Sequence, residues 1–505
     1  MINKLKRSGN PLNNQSTLPN STKNSLTHHP KGLSYLIATE LWERFAFYIV
    51  QGLLVLYVVH QFSWSDSRSY ALAGAYTALV YMSPLIGGYL ADNIIGQSRA
   101  LIIGGVILII GYGLIAIGSQ ASLLLGLGSV VLGNGFYKPN VSTLVGNLYT
   151  KEDNKREGGY TLFFVGFNIG GFLANISIGF IKNAFGWQLS FLLAAIGIAI
   201  GLSIFLYGRR YVIDSFDILQ ISKGTPPKPI PWLRMITGFL FIIAIATGLL
   251  LYSQLSNIAF ILFGIGIAGY FLHLIAKHPK EQAQKLCLLL LLMIISVLFW
   301  GLYFEEYLAV NLFVDRVVHR TLFDIRLPAT FFLSLEPFFV VTVGAYFARL
   351  LRTSPHLNIP MLNKFILALV CMGIAYGVLT ISTYFPTSSG QVHSYNIVLY
   401  YLFITLGQLF LYPIGMAAVL KLSPKNMQGF MMGAWFFTLG LGGSLGGIFG
   451  NLAKINKDQL SSLTTERLIY QHAFLSYALI ALAGVVIILI LKPVARHYLG
   501  NIMEL

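Results

Sequence analysis

Long apolar runs separated by short polar loops fill most of the chain. A membrane-spanning helix needs about 20 mainly apolar residues, and about fourteen runs of this kind are present. They begin near residues 35, 70, 99, 122, 158, 187, 233, 256, 286, 328, 363, 396, 428 and 471. The strands of a membrane β-barrel would instead show alternating segments of about ten residues. The pattern therefore predicts an all-α, polytopic membrane protein.

The composition agrees with this prediction. Of the 505 residues, 56% are hydrophobic and 10% are charged, whereas soluble proteins carry about 25% charged residues. The formal net charge is +16, but it does not indicate nucleic-acid binding. The lysines and arginines lie mainly in short loops, and the loops on one side hold more of them than the loops on the other. By the positive-inside rule, this asymmetry predicts that both termini are cytoplasmic.

Changes in polarity and proline content divide the chain into segments. The longest polar break within the apolar part contains "KGTPPKPIP", which is typical of a stiff linker. In chain order we predict a disordered cytoplasmic tail (1–32), a six-helix bundle (33–208), a cytoplasmic hinge (209–232), two extra transmembrane helices (233–278), a second six-helix bundle (279–494) and a cytoplasmic tail (495–505). Two bundles of six helices are typical of transporters built from repeated halves.

Three charged residues lie near the middle of the first span. Because positions i, i+3 and i+4 of an α-helix share one face, Glu40, Glu43 and Arg44 form a cluster. A charge at the bilayer centre costs about 2.5–3.5 kcal/mol even on the most lenient scale. Two interpretations are open: the cluster is a structural knot of ion pairs, or it is the working part of a functional site.

Polar residues occur at comparable depth in four further spans, at Tyr81, Lys138, Asn168 and Gln408. Taken singly, each has a structural explanation: Lys138 could extend to the lipid headgroups, and Asn168 or Gln408 could join two helices. Taken together, they predict a polar cavity near the membrane midplane, where secondary transporters bind their substrates.

The chemistry of this cavity favours a proton-linked carrier. Arg44 and Lys138 would make a cationic pocket that suits a carboxylate. A carboxyl group in a cavity of low dielectric takes up a proton more readily than in water, so a proton gradient can load it.

Several ordered motifs resemble a known family. They are "ELWERFAFY", "GGYLADNIIGQSRA", "GFYKPNVSTLVGNLY", "FFVGFNIGG", "SVLFW", "NLFVDR" and "LSPKNMQGFMMGAWF". Through them the chain, from residue 33 to residue 495, is similar to the proton-dependent oligopeptide transporters of the major facilitator superfamily. The two extra helices between the halves also resemble bacterial members of that family.

The resemblance implies a major facilitator fold of two six-helix halves with two extra helices between them. It also implies a proton-coupled symporter that imports di- and tripeptides by alternating access across the inner (plasma) membrane of a bacterium. The expected partners are the peptide, protons and membrane lipid, with no nucleic acid, no cofactor besides the proton gradient, and a monomeric carrier.

The same resemblance assigns roles to individual residues. The proton-coupling residues would be Glu40, Glu43 and Arg44. The substrate would be bound by Arg44, Tyr48, Tyr81, Lys138 and Asn168. A latch between the cytoplasmic ends of helices would consist of Asp92 and Arg99.

Four positions depart from the family pattern. Gln408 stands where an acid usually receives the peptide amino group, and Gln51 stands where a second arginine is frequent. The usual acidic partner of that arginine falls on Phe304, so we expect a rebuilt outer gate that involves Gln51 and Glu305. Glu336 stands where asparagine is common, and it is our first candidate for binding the substrate ammonium, ahead of Glu305.

Other function classes receive less support. A carrier of the same fold with a non-peptide small solute is the nearest alternative, because Gln408 and Gln51 replace charged residues. An enzyme would need a catalytic or metal constellation, but the sequence has no HExxH and no paired Cys and His. Its two cysteines, Cys287 and Cys371, lie in apolar runs. A channel or a nontransporting receptor is a minor alternative, because rings of repeated carbonyl or charge motifs are not evident.

Overall fold

The computed structural model describes residues 29–150, 153, 155–212, 214, 232–322, 324–353, 359–456 and 462–499. Most of the predicted N-terminal tail, residues 215–231 of the predicted hinge and residues 500–505 of the predicted C-terminal tail lie outside the described residues. The segment boundaries given above therefore stay predictions.

The first bundle is formed by α1 (Lys31–Phe62), α2 (Asp66–Met82), α3 (Pro84–Leu90), α4 (Gln97–Ala116), α5 (Gln120–Asn147) and α6 (Arg156–Gly208). Local chemistry sets several of these ends. A proline at the first position begins α3, where a missing N–H costs nothing. The Ser119 and Ser122 side chains form a capping box that begins α5. A π-helical turn, Ala91–Ile95, joins α3 to α4.

The helix α6 contains two membrane crossings. It has 53 residues, and Gly186 inside it has a φ of 84° and a ψ of 179°. At 1.5 Å per residue a straight helix of this length would extend about 80 Å, far more than the roughly 30 Å of hydrocarbon in a bilayer. A positive φ favours glycine, so Gly186 is the point at which the chain turns back across the membrane.

Two helices, α7 (Trp232–Leu251) and α8 (Ser253–Lys277), precede the second bundle. That bundle is formed by α9 (Lys280–Tyr303), α10 (Ala309–Arg316), α11 (Ala329–Leu333), α12 (Leu335–Thr353), α13 (Met361–Ser382), α14 (Tyr395–Leu422), α15 (Gln428–Phe449) and α16 (Leu463–Leu499). A 3-10 turn, Phe304–Tyr307, separates α9 from α10.

The described helices account for fourteen crossings. Twelve helical segments are long and apolar enough to span a membrane, and α6 is one of them although it crosses twice. The segment α5 is not among the twelve, but its 28 residues are more than enough to cross about 30 Å of hydrocarbon at 1.5 Å per residue. Its many glycine and serine residues lower its hydropathy. The predicted all-α, polytopic architecture is confirmed.

The two bundles meet where α2 packs on α15 and where α6 packs on α11 and α12. Glycines allow the first of these contacts to be close. A Cβ atom added at Gly74 would lie 2.7 Å from the carbonyl oxygen of Gly443 and 2.8 Å from the Cα of Gly447. A larger residue at this position would therefore push α2 and α15 apart.

The two helices between the bundles are peripheral. The segment α7 packs on α5, and α8 packs on α2, α9 and α15. In the most apolar stretch of each helix, only 11% of the α7 residues and 17% of the α8 residues are buried. Most of the apolar surface of both helices is therefore free to contact lipid.

Four short strands mark one end of the molecule: β1 (Val318–His319), β2 (Thr321–Leu322), β3 (Ile325–Arg326) and β4 (Val392–His393). β1 pairs in parallel with β4, and β2 pairs antiparallel with β3. We refer to this end of the bundles as the strand-bearing end.

Polar contacts join the bundles at the strand-bearing end. Arg316 makes two hydrogen bonds, of 2.7 and 2.8 Å, to the Asp66 carboxylate, which also accepts the Ile455 N–H at 3.0 Å. We call these three residues the end latch. Nearby, His60 Nε2 lies 2.8 Å from Asp315 Oδ2, and the Asn311 side-chain amide donates to the Gly52 carbonyl at 2.8 Å. The structure is therefore closed at this end.

Candidate functional site

The charged cluster on α1 is buried inside the first bundle. Glu40, Glu43 and Arg44 are 2%, 0% and 1% exposed. Arg44 Nε lies 3.2 Å from Glu40 Oε1, and the guanidinium also forms an ion pair with Glu43. Its other faces rest against two aromatic rings, Phe47 at 4.8 Å and Phe167 at 4.9 Å. One arginine therefore holds two carboxylates, and a proton on either of them would weaken one of these ion pairs.

Helix α5 adds two polar side chains to this cluster. The Asn134 side-chain amide donates to Glu43 Oε1 at 3.3 Å, a contact that the sequence analysis missed. The sequence feature that could have indicated this contact is an asparagine in an apolar helix, one turn before Lys138 and on the same face. Lys138 does not extend to the headgroups: its ammonium lies 4.6 Å from the centre of the Tyr81 ring.

Aromatic side chains fill the space between the two bundles. The Tyr81 ring on α2 lies 5.8 Å from the Phe304 ring, which belongs to the 3-10 turn after α9. Tyr48 on α1 is close enough to Glu336 and Arg44 to interact electrostatically with both. The two tyrosines therefore lie between the first-bundle charges and the second bundle.

Glu306 and Glu336 bring negative charge to the second-bundle side of this space. Glu306 belongs to the 3-10 turn and Glu336 to the first turn of α12, and they are 0% and 3% exposed. The Tyr303 hydroxyl lies beside both carboxyl groups. The Gln408 side-chain amide lies beside Glu336 and donates to the Tyr303 hydroxyl at 3.4 Å. The two carboxyl groups also interact with each other.

Glu305 is placed differently from our expectation. Its carboxylate accepts from the Tyr477 hydroxyl at 3.3 Å and from the Ala309 N–H at 3.4 Å, both within the second bundle. Because a 3-10 turn advances about 120° per residue, Glu305 and Glu306 face different sides. Glu306, which the sequence analysis did not assign to the site, is the residue that interacts electrostatically with Glu336.

The other predicted gate residues have local partners. The Gln51 side chain donates to Thr77 Oγ1 at 3.3 Å, so it joins α1 to α2 within the first bundle. Asp92 accepts from the Gln97 side chain at 2.9 Å, and the latch of Asp92 with Arg99 stays a prediction. The bundles are joined instead at the strand-bearing end, by the end latch and by the His60–Asp315 and Asn311–Gly52 contacts, which the sequence analysis did not identify.

Asn168 also makes a local contact. Its side-chain amide donates to the Phe164 carbonyl at 2.9 Å, one turn earlier in α6. Asn168 is 4% exposed. The structure therefore places it beside the Arg44 cluster through Phe167 but gives it no described contact with another site residue.

The charges of the site do not balance. Its basic groups are Arg44 and Lys138, whereas its acidic groups are Glu40, Glu43, Glu306 and Glu336. The two bases and two of the acids share the first bundle, so the excess negative charge belongs to Glu306 and Glu336. Buried charges need a counter-charge or a proton, and the site is therefore suited to a cation, to protons, or to a ligand that brings both signs.

Comparison with known proteins identifies the family. The sequence model described as "PTR2: POT family" matches residues 98–463. The chain belongs to the POT family. This confirms the resemblance to the proton-dependent oligopeptide transporters, and it makes this POT-family chain a membrane transporter, not an enzyme.

Curated relatives and solved structures agree with the POT assignment. The chain is 28% identical over 471 residues to "Dipeptide and tripeptide permease A" of Citrobacter koseri, and the match covers 92% of each protein. It is 29% identical over 483 residues to "Dipeptide and tripeptide permease B" of Aliivibrio fischeri, covering 93% of this chain and 95% of the permease.

A crystal structure of a peptide transporter POT in complex with sulfate superposes with a TM-score of 0.78 at 27% identity. That superposition covers 93% of this chain and 96% of the transporter. A mutant of a peptide transporter POT in complex with alafosfalin superposes with a TM-score of 0.79 at 26% identity, covering 96% of this chain and all of the other. The predicted major facilitator fold is confirmed.

Proposed function

We propose that this POT-family chain is a proton-coupled symporter that imports di- and tripeptides. The observation that carries the proposal is the opposite charge at the two sides of the central site. Arg44 and Lys138 lie on the first-bundle side, whereas Glu306 and Glu336 lie on the second-bundle side. A short peptide is a zwitterion whose carboxylate and ammonium match these two sides. The names of the permease relatives support the same substrate class.

The α1 cluster supplies the proton coupling in this proposal. In the closed arrangement, Arg44 is shared between Glu40 and Glu43. A proton on Glu43 would release part of the guanidinium, which could then bind a peptide carboxylate. Substrate and proton would thus bind together, which is the requirement for symport.

Orientation follows from the positive-inside rule. The loops opposite the strand-bearing end hold most of the basic residues, among them Arg99, Arg156, Arg209 and Arg210. We infer that this side is cytoplasmic, that both termini lie there, and that the strand-bearing end faces outward from the inner membrane of a bacterium. The arrangement described here is then closed to the outside. We also propose that the carrier acts as a monomer.

Uptake into proteoliposomes tests the function. With an inward proton gradient, labelled Ala-Ala should accumulate several-fold above its outside concentration, and a protonophore should remove the excess because the gradient drives it. Unlabelled Ala-Ala and Ala-Ala-Ala should compete with the label, and free alanine should not. Gradient-driven uptake of another small solute, together with no uptake of Ala-Ala, would instead identify a non-peptide carrier. The absence of any gradient-driven accumulation would favour a channel or a receptor.

Replacing Lys138 by Ala should weaken binding of Ala-Ala more than binding of its C-terminal amide. Removing one charge-assisted contact should lower the affinity for the free carboxylate roughly 10- to 100-fold. The amide lacks the negative charge and should lose much less. Binding of both ligands to the purified carrier, measured by calorimetry, checks the difference.

The control for this measurement is Lys285→Ala. Lys285 forms a surface ion pair with Glu281, four residues earlier. Surface pairs contribute little, so this variant should bind both ligands as the wild type does. An equal loss for Ala-Ala and its amide in Lys138→Ala would show that Lys138 does not contact the carboxylate.

A further inference from the structure

A cavity of about 410 Å3 lies between the two bundles at the strand-bearing end. We call it the end cavity. Its lining residues come from α1 and α6 of the first bundle and from positions between 315 and 330 of the second. None of the residues assigned to the central site lines it. Small-molecule sites usually occupy about 300–1,000 Å3, so the end cavity is large enough for a small ligand.

Positive charge is in excess around the end cavity. The lysine, arginine and acidic residues that line it are Lys182 from the first bundle and Asp315, Arg320 and Arg326 from the second. The Asp315 carboxylate is already engaged, because it accepts from Arg320 at 3.0 Å and lies 2.8 Å from His60 Nε2. Lys182 and Arg326 form no ion pair with another residue that the structure describes. Two cations without a described acidic partner therefore line the cavity, one from each bundle.

A buried hydroxyl group lines the same cavity. Thr330 is 1% exposed, and its hydroxyl has no hydrogen-bond partner among the described residues. Gly179, which also lines the cavity, leaves space beside this hydroxyl, since a Cβ atom added at Gly179 would clash with Thr330 Oγ1. A buried hydroxyl without a partner costs free energy. The end cavity is therefore suited to a ligand that accepts hydrogen bonds.

Lys182 is held at the wall of the end cavity. Its Nζ atom lies 4.6 Å from the centre of the Trp187 ring and donates to the Asn183 side-chain carbonyl at 3.2 Å. Both partners are lining residues of the first bundle, and neither carries a negative charge. An ammonium group has three N–H donors, so further donors remain for a ligand. A carboxylate or phosphate group accepts several hydrogen bonds and supplies the negative charge that the two cations lack.

We propose that the end cavity binds a small oxyanion, of the carboxylate or phosphate class, between Lys182 and Arg326, and that the bound anion holds the strand-bearing end closed. Closing this end brings like charges of the two bundles together, and like charges repel each other. The anion removes this repulsion and bonds to both bundles. Because opening takes the site apart, the anion binds the closed arrangement more tightly and shifts the equilibrium toward it. This inference goes beyond the proposed function and does not depend on the substrate.

Calorimetry with the purified full-length carrier tests the site, with inorganic phosphate and succinate as separate probes in a chloride buffer. Lys182→Ala/Arg326→Ala should lower the affinity for the bound probe roughly 10- to 100-fold, whereas Lys182→Arg keeps the charge and should retain most of the affinity. Thr330→Val removes the hydroxyl but keeps the shape, so it should weaken binding about 2- to 10-fold without lowering the thermal unfolding midpoint. Lys285→Ala, at a surface ion pair, is the matched control and should bind as the wild type does. Equal affinity in the wild type and the double variant, or no binding of either probe, would overturn the proposal.

Distances between spin labels at Gln61 and Ser389 test the closing effect. These exposed residues belong to opposite bundles and do not line the end cavity. The measurement uses the wild type and Arg316→Ala, which lacks one residue of the end latch. Phosphate or succinate should raise the ratio of the shorter to the longer distance several-fold, and the Lys182→Ala/Arg326→Ala substitutions should remove this response. Distances that do not change when the anion binds, in both proteins, would refute the closing effect. Neither measurement involves a peptide, so a failure of peptide transport would leave both results standing.

Discussion

Proton-driven accumulation of Ala-Ala should disappear when Glu43 is replaced by Gln. Glu43 is fully buried, pairs with Arg44 and accepts a hydrogen bond from Asn134. Glutamine keeps the volume and can still accept from Asn134, but it cannot gain or lose a proton. The inside concentration of labelled Ala-Ala should therefore fall to the outside concentration under an inward proton gradient. Uptake into proteoliposomes measures this loss.

Counterflow separates loss of coupling from loss of binding. Vesicles preloaded with unlabelled Ala-Ala should still exchange it for labelled Ala-Ala in the Glu43→Gln variant, because exchange needs binding but no net proton movement. Glu43→Asp keeps an ionisable group and should retain part of the accumulation. Glu281→Gln, at an exposed surface pair, should behave like the wild type. Full concentrative uptake by Glu43→Gln would show that proton coupling lies elsewhere.

The α1 cluster could be predicted from the sequence because helix geometry is local. Charges at i, i+3 and i+4 share a face whatever surrounds them, and an apolar run fixes their depth. The structure places Glu40, Glu43 and Arg44 in contact as this rule requires. The crossing of the membrane by α5 was predictable for a similar reason. Its length and position show it as a span although its glycines and serines lower its hydropathy.

The second-bundle side of the site could not be predicted in the same way. The sequence shows two adjacent glutamates, but which one faces the cavity depends on where α9 gives way to a 3-10 turn. That change begins at Phe304, and the 3-10 turn itself contains no proline or glycine to mark it. The electrostatic interaction of Glu306 with Glu336 joins positions 30 residues apart in sequence, so it depends on tertiary packing. Asn134 was missed because one amide in an apolar helix is more often an interhelical contact than part of a site.

The end latch depends on contacts between residues that are still farther apart in sequence. Arg316 reaches Asp66 across 250 positions, and the Ile455 N–H reaches Asp66 across 389. Pattern reasoning placed the outer gate at Gln51 and Glu305, one helix turn or more deeper. The structure instead joins the bundles through residues at the ends of α2 and α10, where side chains of both bundles come within reach.

Replacing Arg316 by Ala should shift the carrier toward an arrangement that is open at the strand-bearing end. The Asp66 and Arg316 side chains are 4% and 9% exposed. Removing one partner of a buried ion pair typically costs about 3–5 kcal/mol. That cost falls on the closed arrangement alone, because opening this end gives Asp66 water. Since each 1.4 kcal/mol is about a tenfold change, the closed-to-open ratio should fall roughly 100-fold or more.

Distances between spin labels at Ala184 and Ile325 measure this shift. Ala184 lies in α6 and Ile325 in β3, so the pair reports the separation of the two bundles at the strand-bearing end. The labels should show one short distance in the wild type and a larger, dominant one in Arg316→Ala. Arg467→Ala is the matched control, because Arg467 donates to the Gly390 carbonyl at 2.7 Å within its own bundle. It should keep the short distance.

A double variant shows whether the unpaired charge of Asp66 is responsible for the shift toward the open arrangement. In Asp66→Asn/Arg316→Ala neither charge is left buried, so the cost to the closed arrangement should be smaller than in Arg316→Ala. The short distance should therefore return in part, though not fully, because the arginine hydrogen bonds are still absent. The rate of uptake should change in the same order as the distances. Arg316→Ala should transport more slowly than the double variant, because a carrier that rarely closes at one end completes few transport cycles. Unchanged distances in Arg316→Ala would show that the end latch does not hold the bundles together, and that other contacts, such as the glycine contact of α2 with α15, do.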